Sequence, residues 1–135
     1  MARILVVANR TAESQELLDV LKARGGGHEF VLVVPASGHG IEKAADPDAA
    51  REHTEPHLKA ALEHWRAEGL QVEGSVGDTD PLAAVQDACN FGEFDEIVVS
   101  TLPVRASKWL KMDLPTRVER VTGKPVTHVE TKQHD

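Results

Sequence analysis

Five short apolar runs, separated by stretches of helical periodicity, constrain the fold of this chain more than any other feature. The first run, residues 3–8, is apolar without alternation, which is typical of a strand buried on both faces of a sheet. The later runs are residues 30–34, 70–76, 96–100 and 125–129. Strands that alternate with helices in this way pair in parallel through right-handed crossovers. The sequence therefore predicts one α/β domain, residues 1–135, with a five-stranded parallel sheet and helices on both faces.

The sequence also predicts the position of one edge strand and the starts of two helices. Residues 70–76 alternate apolar with polar and are expected at a sheet edge. Thr11 is placed to cap the first helix. The second helix has an apolar stripe of Leu58, Ala61, Leu62 and Trp65. Pro56 fits its first turn if Thr54 caps the helix; if the helix instead begins near Pro47, Pro56 should kink it.

The last two helices have clearer start signals. Asp80 is a suitable N-cap, and Pro81 suits the first helical position that follows it. A polar, partly basic loop is expected after the fourth strand. The final helix is then expected to start at Asp113, with Val118 and Val121 facing inward.

Composition excludes several classes of partner and site. The chain has 15 basic and 22 acidic residues and a formal net charge of −7, which opposes binding to nucleic acid or an anionic membrane. Its one cysteine, Cys89, permits no intrachain disulfide and is expected to be a small buried hydrophobe on a helix. We expect a cytoplasmic protein, because no leader-like or membrane-spanning run is present in the sequence.

Polar residues follow two of the predicted strands. Asn9, Arg10 and Thr11 come after the first strand, and Ser100 and Thr101 end the fourth. In open parallel sheets, ligands bind beyond the carboxyl ends of the strands, where the strand order reverses. These two segments are therefore the candidate binding site for a small molecule.

The sequence resembles the universal stress protein family over nearly its whole length. The matching motifs are I-L-V-V-A-N-R-T (4–11), V-G-D-T-D-P-L-A-A-V (76–85), D-E-I-V-V-S-T (95–101) and G-K-P-V-T-H-V (123–129). The resemblance implies the adenine nucleotide alpha hydrolase-like fold with strand order 3-2-1-4-5, frequent homodimers and, in one subgroup, an ATP site. A nucleotide is then expected over Asn9, Thr11, Val33, Ser100 and Thr101, and ATP or AMP is the cofactor considered.

The phosphate loop of the ATP-binding members is not conserved in this chain. That loop has the pattern G-x-x-G, nine residues, then G-S/T. The three glycine positions of that pattern correspond to Ser100, Pro103 and Asp113 in this chain. Proline has no amide hydrogen to donate, and a carboxylate at a helix start opposes a phosphate. Arg105 is predicted to replace the loop, because a guanidinium can hold a phosphate through two parallel hydrogen bonds.

Histidines offer a weaker alternative. His53 and His57 are four residues apart and His64 lies near the same stripe, a spacing that can hold a metal ion. Pro56 lies between them, and no carboxylate or thiolate completes a recognisable set, so no metal ion is expected. His128, among valines in the last strand, is expected to be a hydrogen-bonded strand histidine rather than a catalytic one.

Three functional classes remain open at this point. The first is a non-catalytic protein of the universal stress type that binds a nucleotide or another small molecule. The second is a degenerate member that keeps the fold and the dimer, binds no nucleotide and acts as a protein-interaction module. The third is a nucleotide hydrolase, for which the sequence offers no pairing of base and nucleophile. The expected partner is a second copy of the chain, paired through residues 126–130 at a sheet edge.

Overall fold

The computed structural model describes residues 2–9, 11–36, 47–102 and 108–131. The strands within these ranges are β1 (Arg3–Val7), β2 (Glu29–Pro35), β3 (Gln71–Gly77), β4 (Glu96–Thr101) and β5 (Val126–Glu130). The helices are α1 (Gln15–Lys22), α2 (Pro47–Ala67), α3 (Pro81–Phe91), α4 (Lys108–Lys111) and α5 (Leu114–Thr122). None of the described helices combines the length and the apolar character that a membrane span requires.

The strands form one parallel sheet in the order β3-β2-β1-β4-β5, as predicted. β1 is central and pairs with β2 on one side and β4 on the other. Residues 70–76 were expected at an edge, and β3 is an edge strand. The chain leaves β1 toward β2 and enters β4 on the opposite side, so the strand order reverses between β1 and β4.

Alternate residues of the strands feed two cores. Ile4 and Val6 of β1 face a core that α1 and α2 cover, whereas Leu5 and Val7 face a core covered by α3, α4 and α5. β1 therefore has no solvated face, which explains its unbroken apolar sequence. Trp65 of α2 is among the largest fully buried side chains of the first core.

One predicted helix start differs from the structure, and one of the two starts considered for the second helix is confirmed. Ser14 caps α1, because its Oγ accepts a hydrogen bond from the Leu17 N–H at 3.1 Å, and the hydroxyl of Thr11 is bonded elsewhere. α2 begins at Pro47, so Thr54 is not its cap; the Thr54 hydroxyl donates instead to the Ala50 carbonyl one turn earlier, at 2.8 Å. Pro56 consequently lies inside the helix and removes one hydrogen bond of the helical ladder.

The later helices follow the prediction more closely. Asp80 caps α3 by accepting from the Leu82 N–H at 3.1 Å, and proline occupies the first turn as expected. The predicted polar loop after β4 contains the short helix α4. Val118 of α5 is buried as predicted, but Val121 is 47% exposed, because it lies in the last helical turn at the rim of the layer.

A charged cluster at the amino ends of the strands joins three elements. Arg24, just after α1, donates from Nε to Glu96 of β4 at 3.1 Å and from Nη2 to the other carboxylate oxygen. Thr127 of β5 also donates to Glu96. The hydrogen bond from Arg24 is the main reason that the pKa of Glu96 is lowered, and it outweighs the opposing effect of burial.

This cluster makes stability depend on pH. Because the pKa of Glu96 is lower in the folded chain, its contribution is complete above its ordinary pKa of about 4.5 and is lost as the pH falls through the folded value. We expect Glu96→Gln to lower the free energy of unfolding by about 1–3 kcal/mol near pH 7, and by less at pH 3. Urea unfolding at the two pH values measures this. The exposed Glu29, which pairs with Arg3, is the control, and Glu29→Gln should cost less than about 1 kcal/mol. Equal losses at both pH values for Glu96→Gln would contradict the assignment.

Candidate functional site

The carboxyl ends of β1 and β4 lie side by side, where the strand order reverses. The register pairs Val7, the last residue of β1, with Val99, so the turn after β1 begins beside Ser100 and Thr101, the last two residues of β4. Helix α1 leaves from one of these ends, on the face of the first core, and α4 and α5 lie on the opposite face. The topology thus produces the type of crevice in which α/β proteins bind ligands.

Two of the predicted ligand-binding residues are bonded to each other. The hydroxyls of Thr11 and Ser100 are 2.6 Å apart, although the residues are separated by 89 positions in the chain. Thr11 is 4% exposed and Ser100 is 1% exposed. Each hydroxyl therefore has its hydrogen-bond partner inside the protein, and the pair fastens the turn after β1 to β4.

Helix α2 holds the turn after β1 from the other side. The carbonyl oxygen of Asn9 accepts a hydrogen bond from Nε2 of His57 at 2.6 Å, which requires the ring proton on that nitrogen. The indole Nε1 of Trp65 donates to the carbonyl oxygen of Ala12 at 2.8 Å. The roles of His57 and Trp65 were missed in the sequence, although their spacing of eight residues places them on one face of α2.

The His57 contact also bears on the metal hypothesis. Its Nε2 faces a main-chain carbonyl, and His53, one turn earlier, is exposed. Among the residues that the structure describes, no group of three or more His, Cys, Asp or Glu side chains is placed to hold a metal ion.

Thr101 and Val33 lie on the opposite face of the sheet from the Thr11–Ser100 pair. Thr101 is next to Ser100 in β4, so its side chain points the other way, and its Oγ1 is 2.8 Å from Nε2 of His128. Val33 is packed in the second core with Val7 and Val99. The structure thus brings Asn9, Thr11 and Ser100 together and separates them from Thr101 and Val33 by the thickness of the sheet.

Two further hydroxyls join this network, and the sequence did not indicate them. Thr131, just after β5, donates from Oγ1 to Oγ of Ser14 at 2.9 Å, and its N–H donates to the carbonyl of Thr101 at 2.8 Å. Ser14 in turn caps α1. Within the described ranges, every buried side-chain nitrogen or oxygen has a hydrogen-bond partner. The polar groups under the crevice are therefore satisfied without a ligand.

Asp113 marks where the glycine of the phosphate loop would stand. It is the N-cap of α5 and has φ 57° and ψ 45°, a left-handed conformation that glycine adopts most readily. Its side chain is exposed and makes no capping hydrogen bond. The backbone at this position has a geometry that favours glycine, while the residue places a carboxylate at a helix start. Arg10, Pro103 and Arg105 lie outside the described residues.

Trp109 and Cys89 both pack against the second core. Trp109 of α4 is half-buried and packs against the second core. Cys89 is half-buried against the same core, and burial raises the pKa of its thiol. A raised pKa keeps the thiol protonated, which disfavours reaction as a nucleophile.

A shallow depression of about 370 Å³ lies away from the crevice. Its walls are the first residues of β2 and β3, with Arg66 of α2 beside them. These residues are at the amino ends of the strands, so the depression and the predicted site are at opposite ends of the sheet.

The fold is shared with solved universal stress proteins. A structure from Archaeoglobus fulgidus in complex with dAMP is 20% identical, covers 96% of this chain and 97% of that one, and has a TM-score of 0.55. A family protein from Arabidopsis thaliana with AMP bound is 12% identical, covers 97% and 92%, and has a TM-score of 0.59. A hypothetical protein whose biochemical function was assigned from its structure is 15% identical, covers 98% of both chains and has a TM-score of 0.73.

The coverage and the TM-scores of these structures establish the fold of the chain. The chain has the universal stress protein fold, as the motifs and the strand order predicted. No protein-family model matches the sequence, and no curated protein matches it.

The buried hydroxyl pair predicts a coupled effect on stability. Thr11→Val or Ser100→Ala alone leaves one buried hydroxyl without its partner and should lower the free energy of unfolding by about 1–3 kcal/mol. The double variant should lose less than the sum of the two, with a coupling of about 0.5–3 kcal/mol. Urea unfolding of the four proteins measures this, with Thr116→Val at an exposed site as the control. Strictly additive losses would show that the two hydroxyls act independently.

Proposed function

We propose that this chain is a divergent universal stress protein that binds an adenine nucleotide or a similar small molecule and catalyses no reaction on it. In this proposal it acts in the cytoplasm in the response to stress. The ligand lies over the carboxyl ends of β1 and β4, against the turn that contains Asn9 and Thr11, which Ser100 supports from below. Thr101 and Val33, on the other face of the sheet, contribute only through the packing of the strand ends. Structures with the same fold, from Arabidopsis thaliana and Archaeoglobus fulgidus, hold AMP and dAMP.

The single observation that carries the proposal is that Asn9, Thr11 and Ala12, in the turn after β1, are held in place by contacts within the protein. Their backbone is fixed by His57, by Trp65 and by the Thr11–Ser100 hydrogen bond. A pre-formed site avoids the entropic cost of ordering a loop on binding. This turn stands at the strand-order reversal, the place where a ligand is expected in a sheet of this kind.

The absence of a reaction is supported by how the hydroxyls are used. A nucleophile needs an adjacent base and access to the substrate. Thr101 has a histidine within 2.8 Å, but it is only 2% exposed, and Ser100 is bonded to Thr11. The hydrolase hypothesis therefore remains the weakest of the three classes.

Binding of the phosphates depends on side chains in this proposal. The family loop uses bare backbone amides, whereas this chain has Pro103 in that loop and Asp113 at the start of α5. Arg105 supplies the compensating charge by donating two parallel hydrogen bonds to a phosphate group. AMP presents less charge to Asp113 than ATP and is the better-suited ligand of the two.

One observation favours the second class, a protein-interaction module without a nucleotide. The buried polar groups beneath the crevice already have partners within the described chain, so they do not call for a ligand. In that case the fold serves as a scaffold for a homodimer. A dimer belongs to both hypotheses, and we propose that it forms through β5, which lies at a sheet edge.

Arg105→Ala tests the phosphate assignment. The variant should bind ATP or AMP about ten- to a hundredfold more weakly, because a charge-assisted hydrogen-bonded contact of about 1.5–3 kcal/mol is lost, whereas adenosine binding should be unchanged. Isothermal titration calorimetry with ATP, AMP and adenosine measures both quantities, and Arg117→Ala at an exposed position of α5 is the control. If ATP and adenosine bind equally well and the substitution changes neither, Arg105 has no phosphate role; if neither ligand binds, the interaction-module hypothesis takes precedence.

Asp113→Gly should have the opposite effect. Glycine adopts the left-handed conformation at this position without strain, and the change removes a carboxylate from the N-terminus of α5. We expect affinity for ATP to rise about two- to fivefold, from about 0.3–1 kcal/mol of relieved repulsion, with adenosine unaffected. The same titrations measure it, and Asp87→Asn on α3 controls for the change of net charge. A gain of equal size in the control would assign the effect to overall charge rather than to position 113.

A further inference from the structure

The two edges of the sheet are not equivalent. β3 forms one edge and β5 the other, and both are parallel to their single neighbour. An edge strand presents backbone N–H and C=O groups that can pair with a strand of another molecule. The side-chain contacts at the two edges show which of them remains accessible.

The outward groups of β3 are identified by its pairing with β2. The carbonyl of Gly77 accepts a hydrogen bond from the N–H of Ala36 at 3.0 Å, so Gly77 points toward β2. Backbone direction alternates along a strand. Val72, Gly74 and Val76 therefore direct their N–H and C=O groups away from the sheet.

Two arginines of α2 bind these outward carbonyls. Nη1 of Arg51 donates to the carbonyl oxygen of Val76 at 2.9 Å, and Nη2 of Arg66 donates to that of Val72 at 2.9 Å. Both contacts are partly buried. α2 runs antiparallel to β3, so its early arginine meets the end of the strand and its late arginine meets the beginning. The two contacts together span the part of β3 that a partner strand would need.

The geometry of the contacts favours a structural block over chance surface contacts. Arg51 and Arg66 are separated by roughly 22 Å along the helix, whereas the two carbonyls are separated by roughly 13 Å along the strand. The long side chains converge from opposite ends of the helix onto one strand. Each guanidinium places its bulk and charge on the edge, where an incoming strand would have to displace it.

At the β5 edge, no pair of arginines among the described residues is found on the carbonyls of Val126 and His128. Thr131 donates to Thr101 of β4, so by alternation Val126 and His128 direct their backbone groups outward. In the described ranges, no side chain is found to donate to the carbonyl oxygens of these two residues. Arginine side chains are therefore bonded to the outward carbonyls of Val72 and Val76 at β3, and no such contact is found on Val126 and His128 at β5.

We propose that Arg51 and Arg66 close the β3 edge to strand pairing, so that a second copy of this chain extends the sheet at β5 and not at β3. The arginines restrict assembly to a closed pair. With both edges open, each molecule could pair at β3 and at β5, and the contacts would propagate into open-ended assemblies.

The test opens the β3 edge. In Arg51→Met/Arg66→Met the stems keep their packing on α2, but no donor remains for the two carbonyls. We expect the assembly mass at about 50 µM, measured by analytical ultracentrifugation, to rise at least twofold over the wild type. Amide hydrogen exchange at residues 72, 74 and 76 should slow in the associated form, because those N–H groups become paired.

The control removes the same charge elsewhere. Arg117→Met/Arg120→Met replaces two exposed arginines of α5 and changes the formal net charge from −7 to −9, as the test variant does (−7 − 2 = −9). It should keep the wild-type mass and the wild-type exchange at β3. If the Met variant does not unfold cooperatively, Arg51→Gln/Arg66→Gln, whose shorter side chains do not reach the edge, is measured in its place.

The outcomes separate this proposal from the dimer through β5. A wild type that is monomeric, with a test variant that dimerises and slows exchange at β3, contradicts the β5 dimer and supports the block. A test variant with the mass and exchange of the wild type overturns the block, whatever the wild-type mass is. Equal association of the test and control variants also overturns it, because loss of charge would then be sufficient.

Discussion

The burial of β1 on both faces and along both edges is the constraint on which the rest of the structure depends. A strand in that position makes its exit turn begin in the interior, where backbone and side-chain polar groups need partners. His57 and Trp65 from α2, and Ser100 from β4, supply them. The same contacts place the turn at the strand-order reversal. The same contacts therefore satisfy the polar groups at the end of the central strand and fix the position of the candidate site.

These internal hydrogen bonds limit which groups in the crevice can react or contact a ligand. Hydroxyls that satisfy one another under the crevice are poor nucleophiles, and a ligand would gain little by displacing them, since each displaced partner would need a new hydrogen bond. A ligand could therefore be recognised by the shape of the turn, by the half-buried Asn9 and by charged side chains near its phosphate. Asp113 shows this most clearly, because its backbone keeps a conformation suited to glycine while its side chain opposes an anion. The start of α5 thus combines a backbone conformation that favours glycine with an acidic side chain.

Much of the fold could be predicted because burial leaves a periodic signal. The unbroken apolar run at residues 3–8 identified a strand buried on both faces, the alternation from 70 to 76 identified an edge, and Asp80 with Pro81 identified a helix start. The predictions that were wrong depended on a choice between competing local signals. Thr11 and Ser14 are both good caps, and only the position of Ser100 89 residues away decides which hydroxyl is occupied elsewhere. For α2 the sequence left two starts open, because a helix start and an internal hydroxyl bonded one turn back have the same local sequence, and the structure has the start at Pro47.

The sequence by itself determined the class of fold and the order of its elements, because both follow from periodicity. It also determined that the glycine positions of the G-x-x-G phosphate-loop pattern hold Ser100, Pro103 and Asp113, because these are single residue identities. Only the tertiary structure decided which polar groups meet. It turned Thr101 away from Ser100, brought Ser14 to Thr131, and set Arg51 and Arg66 on the carbonyls of β3. Such contacts join residues far apart in the chain, and their partners depend on the twist, register and packing of whole elements. A local pattern contains no information on them, which is why the sequence did not indicate the arginine contacts at β3.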